Sequence, residues 1–441
     1  MQLLRKLDLM RMVLGILIVV DGYPLIFFFK ETLRLAPGST VFTALFLAMG
    51  FVLMIPITFL RRLYRPNVPL FWLCVAFVFM SIFYMYVYTG DPFAPKGTDM
   101  MYYAFIFIFL LLLINVPNDV IEVFIPTVIA FTVVSNLALV YALITDPTWV
   151  VGQRAAIQFG AEDDRMGNPH VFSRNALMCV IACGIWMSRP NTSLLVRILS
   201  MLSVVFSAGI LVMTQTRSSI VALILVVLAF LFFNVRPAQI RQAARGLLRP
   251  GSLITIGLLF FAVSFFIQRY NDVYSIVYGY FVAFIERNIE NVYALLGMKA
   301  SGAGYQASLD ASAANRSVSF TFLRNVLMGH QHVLLVGYGY KFQYLDVPLV
   351  EALLNHGLLG GFGFYLAFNL ILAYHCLNAM QFNYNPVSTF LAYFFIYLFV
   401  QQFTNGRPYE ISFWHPFCLM IRFMGVEHLT APRLQNRFAV I

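Results

Sequence analysis

Apolar residues occur along this chain in blocks of about 20, and short polar segments separate the blocks. A helix needs roughly 20 residues to cross ~30 Å of hydrocarbon, where the backbone must satisfy its own hydrogen bonds. The blocks are continuously apolar, which favours helices over the strands of a barrel. The pattern predicts twelve transmembrane helices, at about residues 11–29, 41–60, 69–88, 101–117, 118–145, 173–191, 194–213, 217–234, 252–268, 346–374, 386–404 and 409–427.

The predicted spans divide the chain into three parts. Residues 1–268 hold the first nine spans with short loops, and residues 346–441 hold the last three spans and a C-terminal tail. Between them, residues 269–345 form the largest polar stretch, which we expect to fold into short amphipathic helices outside the membrane. The basic and then apolar start resembles a signal peptide, but no small-residue cleavage site follows, so we interpret it as a retained first span.

Composition excludes a soluble domain, because 61% of the residues are apolar and 11% are charged, with a mean hydropathy of +0.80. The net charge of +10 is concentrated in loops on one predicted side of the membrane. Lysine and arginine are retained in the cytoplasm, so this side and both termini are predicted to be cytoplasmic. Retention and contact with anionic inner-membrane lipids explain the charge, which disfavours a nucleic-acid partner. The cations are Arg5, Lys6, Arg11, Arg61, Arg62, Arg65, Arg236, Arg241, Arg245, Arg249, Arg433 and Arg437.

The sequence contains no pattern typical of a metal or cofactor site. Its five cysteines fall in or at the ends of predicted spans, and Cys179 and Cys183 share a helix face without a histidine or carboxylate at ligand spacing. We expect the cysteines to be buried as small apolar residues rather than paired in disulfides. The segment Gly337-Tyr338-Gly339 lacks the rest of a nucleotide-binding loop and predicts a tight turn.

Arg165, Arg217 and Arg316 fall on the predicted extracytoplasmic side, where retention does not explain them. One interpretation is that each is an interfacial anchor whose side chain reaches the lipid headgroups. The other is an anion site, because a guanidinium group donates two parallel hydrogen bonds to phosphate oxygens and suits a diphosphate. The polar side chains that accompany the first two arginines are Asn168, His170, Thr214 and Ser218.

Acidic residues lie on the same predicted side. Asp346 opens the tenth predicted span, and an acid beside an anion site fits a proton acceptor. On one continuous helix Glu351 and His356 lie about 7.5 Å and about 15 Å below it, as a polar ladder whose alternative role is helix–helix hydrogen bonding. The segment QQFTNGRPYE joins the last two spans, where it either lines an acceptor groove or caps two helices; its polar residues are Gln401, Gln402, Asn405, Arg407 and Glu410.

Three stretches in this order resemble the O-antigen polymerase and O-antigen ligase superfamily, which comprises Wzy-type polymerases and ligases. They are RMGNPHVFSRNAL, TQTRSSIVAL, and NRSVSFTFLRNVL followed by GYGYKFQYLDVPLVEALLNHGLLGG. The resemblance in sequence covers about residues 165–365, and the rest of the chain resembles the superfamily in hydropathy alone. It implies a metal-independent glycosyltransferase with a GT-C-like fold, which acts at the periplasmic face of the bacterial inner membrane on a glycan linked to undecaprenyl diphosphate. It assigns diphosphate binding to Arg217 and Arg316, and less directly to Arg165.

The residue eleven positions before Gly357 bears on the reaction. Ligases of the superfamily usually carry a histidine there and polymerases more often an aspartate, and this chain has Asp346. The resemblance therefore favours a polymerase, in which Asp346 assists the acceptor hydroxyl as a base or orients it, while the arginines stabilise the departing diphosphate. A chain-length regulator is an implied partner. The alternative is a ligase that transfers the polymer to lipid A core.

A lipid-glycan flippase or transporter is the competing hypothesis from another class of protein. It also needs many spans and contacts to a lipid diphosphate. Transporters usually bind their substrate near the middle of the membrane between internal repeats. The predicted charges of this chain lie at one mouth of the bundle and no repeat is evident, which favours an enzyme.

Overall fold

The computed structural model describes residues 2–57, 59–150, 153–159, 165–189, 192–235, 311–382, 385–426 and 429, with isolated positions between 245 and 289. A small ribbon pairs β1 (Gln158–Phe159) with β2 (Arg165–Met166) in antiparallel fashion, and all other regular structure in these residues is helical. The helices are α1 (Gln2–Asp21), α2 (Tyr23–Phe27), α3 (Thr40–Met54), α4 (Val68–Val87), α5 (Lys96–Asn115), α6 (Ile121–Thr145), α7 (Pro169–Met187), α8 (Leu194–Thr214), α9 (Arg217–Asn234), α10 (Ala311–Gly329), α11 (Val333–Val336), α12 (Pro348–His356), α13 (Gly363–Phe382), α14 (Pro386–Gln401) and α15 (Ile411–Phe423).

In the part of the chain that is described, seven helical segments are long and apolar enough to cross a membrane. They contain α4, α5, α6, α7, α8, α9 and α13, and an eighth results if α1 and α2 form one bent span. Helices α3 and α14 are apolar but shorter, with 15 and 16 residues. The protein is therefore helical and multi-pass, as its apolar pattern predicts. Most of the predicted span 252–268, and of the polar segment that follows it, lies outside the described residues.

The first predicted span is bent. Helix α1 ends at Asp21, and the next helical segment, Tyr23–Thr32, turns away from it by 77°. Gly22 lies at the bend, where a β-carbon would come within 2.2 Å of the carbonyl oxygen of Ile18. The charged end of α1 thus lies inside the protein rather than in lipid, and Asp21 is fully buried.

The predicted continuous span 346–374 is wrong, because α12 ends at His356 and a separate span, Leu358–Phe382, follows, in which a π-helical turn (Leu358–Phe362) leads into α13. Gly357 and Gly361 between them have φ of +64° and +144°, which side chains other than glycine rarely adopt. Asp346 precedes α12 and does not share a helix with α13. The ladder of Asp346, Glu351 and His356 down one transmembrane helix is therefore wrong as well.

The predicted turn at Gly337-Tyr338-Gly339 is confirmed, and it caps the end of α12. Gly337 and Gly339 have φ of +82° and +107°. The amide of Tyr338 donates to the carbonyl of Leu354 at 2.8 Å, and the amide of Gly339 donates to that of Asn355 at 2.9 Å. The carbonyls that α12 leaves unpaired at its end are thereby satisfied.

Replacing Gly357 with alanine should destabilise the protein by about 1–3 kcal/mol, because the new β-carbon would lie 2.5 Å from the amide nitrogen of Gly337 at a strained φ. The measurement is the thermal unfolding midpoint in detergent. Gly184→Ala is the matched control, since that glycine is inside α7 with no atom within 4 Å of the added carbon. Equal midpoints for the two variants would contradict the strained break between α12 and α13.

The two ends of the helix bundle are distinguished by the helix ends that meet there. At one end the start of α1 meets the junction of α5 and α6, where Arg5 pairs with Asp119. The last turn of α15 reaches the same junction, because Arg422 donates to the carbonyl oxygen of Val116 at 3.0 Å. We call this the basic end. Helix α15 is almost entirely buried and runs from the basic end to the opposite one.

Two hydrophobic cores hold these elements. The large core joins the helices of the bundle, and all five cysteines lie buried in described helices as free thiols, as predicted. A second, smaller core packs α10 and α11 against α12 and the loop before it. Its members are Val326, Val333, Leu345, Val347, Val350 and Leu354. The described part of the predicted extracytoplasmic segment is therefore attached to the bundle through α12, and also through Tyr340, whose amide donates to the carbonyl oxygen of Tyr88 at 2.9 Å.

Candidate functional site

A polar cavity of about 450 Å³ opens at the end of the bundle opposite to the basic end. It lies where α1 and α14 end and where α7 and α15 begin. Four tyrosines face it, Tyr23, Tyr102, Tyr344 and Tyr397. The other polar side chains of its wall are Asn168, His170, Arg174, Gln401, Asn405, Glu410 and Ser412. Polar groups that converge in a concave site are typical of a ligand-binding pocket.

The start of α7 places two predicted residues on the cavity wall. Asn168 precedes the helix, and its side-chain oxygen accepts a hydrogen bond from the amide of His170 at 3.0 Å. Pro169 occupies the first helical position, where its missing N–H costs nothing. The sequence NPH thus starts a helix and turns Asn168 and His170 towards the cavity.

Arg217 follows a tight turn between α8 and α9 and directly precedes Ser218, which contacts a residue of this wall. Gln215 has a left-handed backbone with φ of +50°, and Arg217 is the first residue of α9. The hydroxyl of Ser218 lies 3.5 Å from Nδ1 of His170, so the first turn of α9 borders the cavity. Helix N-termini attract anions, which places Arg217 where an anionic ligand is favoured.

Thr214 does not contribute to the wall, although the sequence predicts it as a ligand contact. It is fully buried, and its hydroxyl donates to the carbonyl oxygen of Leu211 at 2.9 Å. Its second neighbour is the hydroxyl of Thr216 at 3.3 Å. Thr214 therefore supports the turn before Arg217 and is not positioned to contact a ligand in the cavity.

Arg174 of the cavity wall belongs to a buried ion pair. Nε of Arg174 donates to Oδ1 of Asp21 at 2.7 Å, and the other guanidinium nitrogens donate to the carbonyls of Val20 at 3.0 Å and Ser412 at 3.3 Å. The pair connects α1, α7 and α15. Our sequence prediction did not include it, although two opposite charges in separate apolar segments are the signal that finds such a pair.

Glu351 lies outside the cavity and connects two loops. Its carboxylate accepts a hydrogen bond from the amide of Leu345 at 3.0 Å and another from the hydroxyl of Tyr409. Nε of Arg407 lies 3.6 Å away. Burial in α12 raises the pKa of Glu351 to about 7, against the opposing effect of Arg407. Glu351 is fully buried and not exposed to a ligand, whereas the side chain of Arg407 is 22% exposed and its predicted contact with substrate stays a prediction.

Asp346 lies behind a tyrosine of the cavity wall. The hydroxyl of Tyr344 donates to Oδ1 of Asp346 at 2.7 Å, and the guanidinium of Arg407 lies 4.8 Å from the centre of the Tyr344 ring. Burial and the neighbouring carboxylate raise the pKa of the Tyr344 hydroxyl, which therefore stays protonated. Asp346, which the sequence predicts as the base, thus bonds to a residue of the cavity wall and does not itself line the cavity.

Glu410 is the carboxylate that lines the cavity in the described structure. It lies just before α15, and its Oε2 accepts a hydrogen bond from the hydroxyl of Ser412 at 3.1 Å. Burial raises the pKa of Glu410 above its ordinary value, although Ser412 and Arg407 act in the opposite direction. Gln401 and Asn405 of the same segment also face the cavity. The segment QQFTNGRPYE therefore contributes to the wall, which agrees with the interpretation that it lines a groove.

Two of the predicted arginines have only their backbones described. Arg165 lies in β2 opposite Phe159, and Arg316 lies in α10, while their side chains are outside the described part of the structure. Within the described residues, no group of three or more histidine, cysteine or acidic side chains is arranged to hold a metal ion. Diphosphate binding by Arg165 and Arg316 stays a prediction.

Neither a protein-family model nor a curated protein sequence matches this chain. The polymerase and ligase motifs therefore remain a resemblance carried by three short stretches. The protein is a helical, multi-pass membrane protein with a tyrosine-lined cavity at one end of its described bundle.

Proposed function

We propose that the protein is a membrane glycosyltransferase of GT-C-like fold that polymerises oligosaccharide repeats linked to undecaprenyl diphosphate. The observation that carries this proposal is the cavity, because tyrosines, amides and a carboxylate converge there beside the helix that begins with Arg217. Such a wall offers sugar hydroxyls both donors and acceptors, and its aromatic rings offer surfaces for sugar rings. The adjacent helix start supplies a site for the anionic carrier.

The distribution of charge supports an extracytoplasmic site. The basic end carries Arg5 and Arg422, and the loop between α3 and α4 adds Arg61, Arg62 and Arg65. Cations near span ends are retained in the cytoplasm, which orients the opposite end towards the periplasm of a bacterial inner membrane. In this orientation the cavity faces the compartment where the resemblance expects lipid-linked glycans.

The reaction that fits this site is a direct displacement without a metal ion. An acceptor sugar hydroxyl attacks the anomeric carbon of the donor glycan, and the bond to the diphosphate breaks. Negative charge then builds on the diphosphate oxygens, where a guanidinium group stabilises it without further reorganisation. Arg217 supplies this charge in our proposal, with Arg316 and Arg165 as further donors.

Purified protein given an undecaprenyl-diphosphate-linked oligosaccharide, without nucleotide or metal, should produce a ladder of longer lipid-linked glycans. The measurement is gel separation of labelled products, with and without a chelator, and the chelator should change nothing. Transfer to added lipid A core without a ladder would select the ligase. Movement of intact donor across proteoliposomes without any product would select the flippase, and both outcomes would contradict the proposed polymerase.

A further inference from the structure

Asp21 is held in a buried ion pair with Arg174, and three further carboxylates lie within or next to the proposed catalytic site, where the structure gives them different surroundings. Glu351 is fully buried and accepts hydrogen bonds from Leu345 and Tyr409. Asp346 accepts a hydrogen bond from the hydroxyl of Tyr344, and of these two residues it is Tyr344 that lines the cavity. Glu410 lies on the cavity wall itself. A general base must come within hydrogen-bond reach of the proton that it removes, so position distinguishes the three.

The segment before α15 keeps the carboxylate of Glu410 available. Glu410 has extended backbone angles, φ of −72° and ψ of 143°, and its side chain does not cap the helix that it precedes. Its amide donates to the carbonyl of Arg407 at 3.2 Å, which closes the turn. Gly406 has φ of +92°, and a β-carbon there would lie 3.2 Å from Oε2 of Glu410. The absence of a side chain at Gly406 leaves space beside the carboxylate.

Tyrosines that could contact the acceptor sugar, and two cations, surround Glu410. Tyr23, Tyr102 and Tyr344 face the same cavity. The cations Arg407 and Lys341 act on Glu410 from the neighbouring loops, and burial outweighs their effect on its pKa, which is raised. A carboxylate with a raised pKa is a stronger base than an exposed one. This property agrees with the position of Glu410 but does not by itself define a role.

We infer that Glu410 is the base that removes the proton from the acceptor hydroxyl, and that Asp346 is a positioning residue that acts through Tyr344. This inference rests on the proposed glycosyl transfer. As the acceptor oxygen bonds to the anomeric carbon, its proton moves to a carboxylate oxygen of Glu410. The bond between that carbon and the diphosphate oxygen breaks, and the electron pair leaves with undecaprenyl diphosphate. Water later takes the proton from Glu410.

Removal of the negative charge should lower the elongation rate strongly at Glu410 and weakly at Asp346. Glu410→Gln keeps the shape of the side chain but cannot accept a proton, so the rate of chain elongation, kcat, should fall about 100-fold or more with little change in donor affinity. Asp346→Asn keeps an oxygen that accepts the Tyr344 hydrogen bond, so it should raise the acceptor KM less than Asp346→Ala does and lower kcat far less than Glu410→Gln does. Asp346→Ala and Tyr344→Phe each lose the bond, and should raise the acceptor KM by equal amounts that do not add in the double variant.

The experiment compares these variants with wild-type protein in the elongation assay, with an undecaprenyl-diphosphate oligosaccharide as donor and acceptor. Glu122→Gln is the matched control, since that glutamate is exposed at the start of α6, near the basic end. Elongation by Glu410→Gln at the wild-type rate, or its loss in Asp346→Asn, overturns this inference while the proposed function stands. No elongation by wild-type protein overturns both.

Discussion

Replacing Arg217 with alanine should lower the rate of chain elongation by roughly 100-fold to 1,000-fold, because one preorganised donor at developing charge contributes on that scale. Arg217 begins α9, whose first turn contacts the cavity through Ser218 and His170. Negative charge on the leaving diphosphate exceeds that of the bound donor, so Arg217 stabilises the transition state more than the bound donor. The substitution should therefore lower kcat more than it weakens donor binding. The measurement is the initial rate of elongation at saturating donor.

Two further variants test the role of Arg217 more closely. Arg217→Lys keeps the charge but loses the planar pair of donors, so it should recover only part of the rate. Arg61→Ala removes an exposed arginine between α3 and α4 and should keep the wild-type rate. If Arg217→Ala keeps both its rate and its affinity for donor, Arg217 is an interfacial anchor and the diphosphate binds elsewhere.

Replacing Arg174 with methionine should destabilise the protein by about 3–5 kcal/mol, because Asp21 would remain buried without its partner. The double variant Asp21→Asn with Arg174→Met removes both charges and should recover a large part of this loss. The measurement is unfolding in detergent followed by tryptophan fluorescence. Purely additive effects of the two substitutions would show that the ion pair contributes no coupling energy.

The spans of this protein were predictable because the bilayer imposes a simple rule on each segment separately. Any helix that crosses it must be apolar over roughly 20 residues, so α4, α6 and α9 follow from composition alone. The break after α12 was harder to predict. Glycine is tolerated within membrane helices, so Gly357 and Gly361 alone did not predict the end of a helix. The packing of Gly357 against Gly337 shows that α12 ends there.

The candidate site was predictable in its chemistry but not in its contacts. Of the residues that the motifs predicted, Asn168 and His170 line the cavity, and Arg217 begins the helix whose Ser218 contacts His170. A resemblance by offset from Gly357 favoured Asp346 as the acid in contact with substrate. The resemblance did not predict that Tyr344 binds Asp346 and lines the cavity. The fold of a loop depends on tertiary packing rather than on the spacing of a motif.

The separation in sequence between Asp21 and Arg174 has a consequence for membrane insertion. The two residues are 153 positions apart, so at ~5–20 residues per second the ribosome needs roughly 8–30 s to add the arginine after the aspartate. During this interval the nascent chain holds α1 to α6 with Asp21 unpaired. The end of α1 must therefore stay at the bilayer surface or carry a proton until α7 arrives. Completion of the first helix thus depends on a helix synthesised much later.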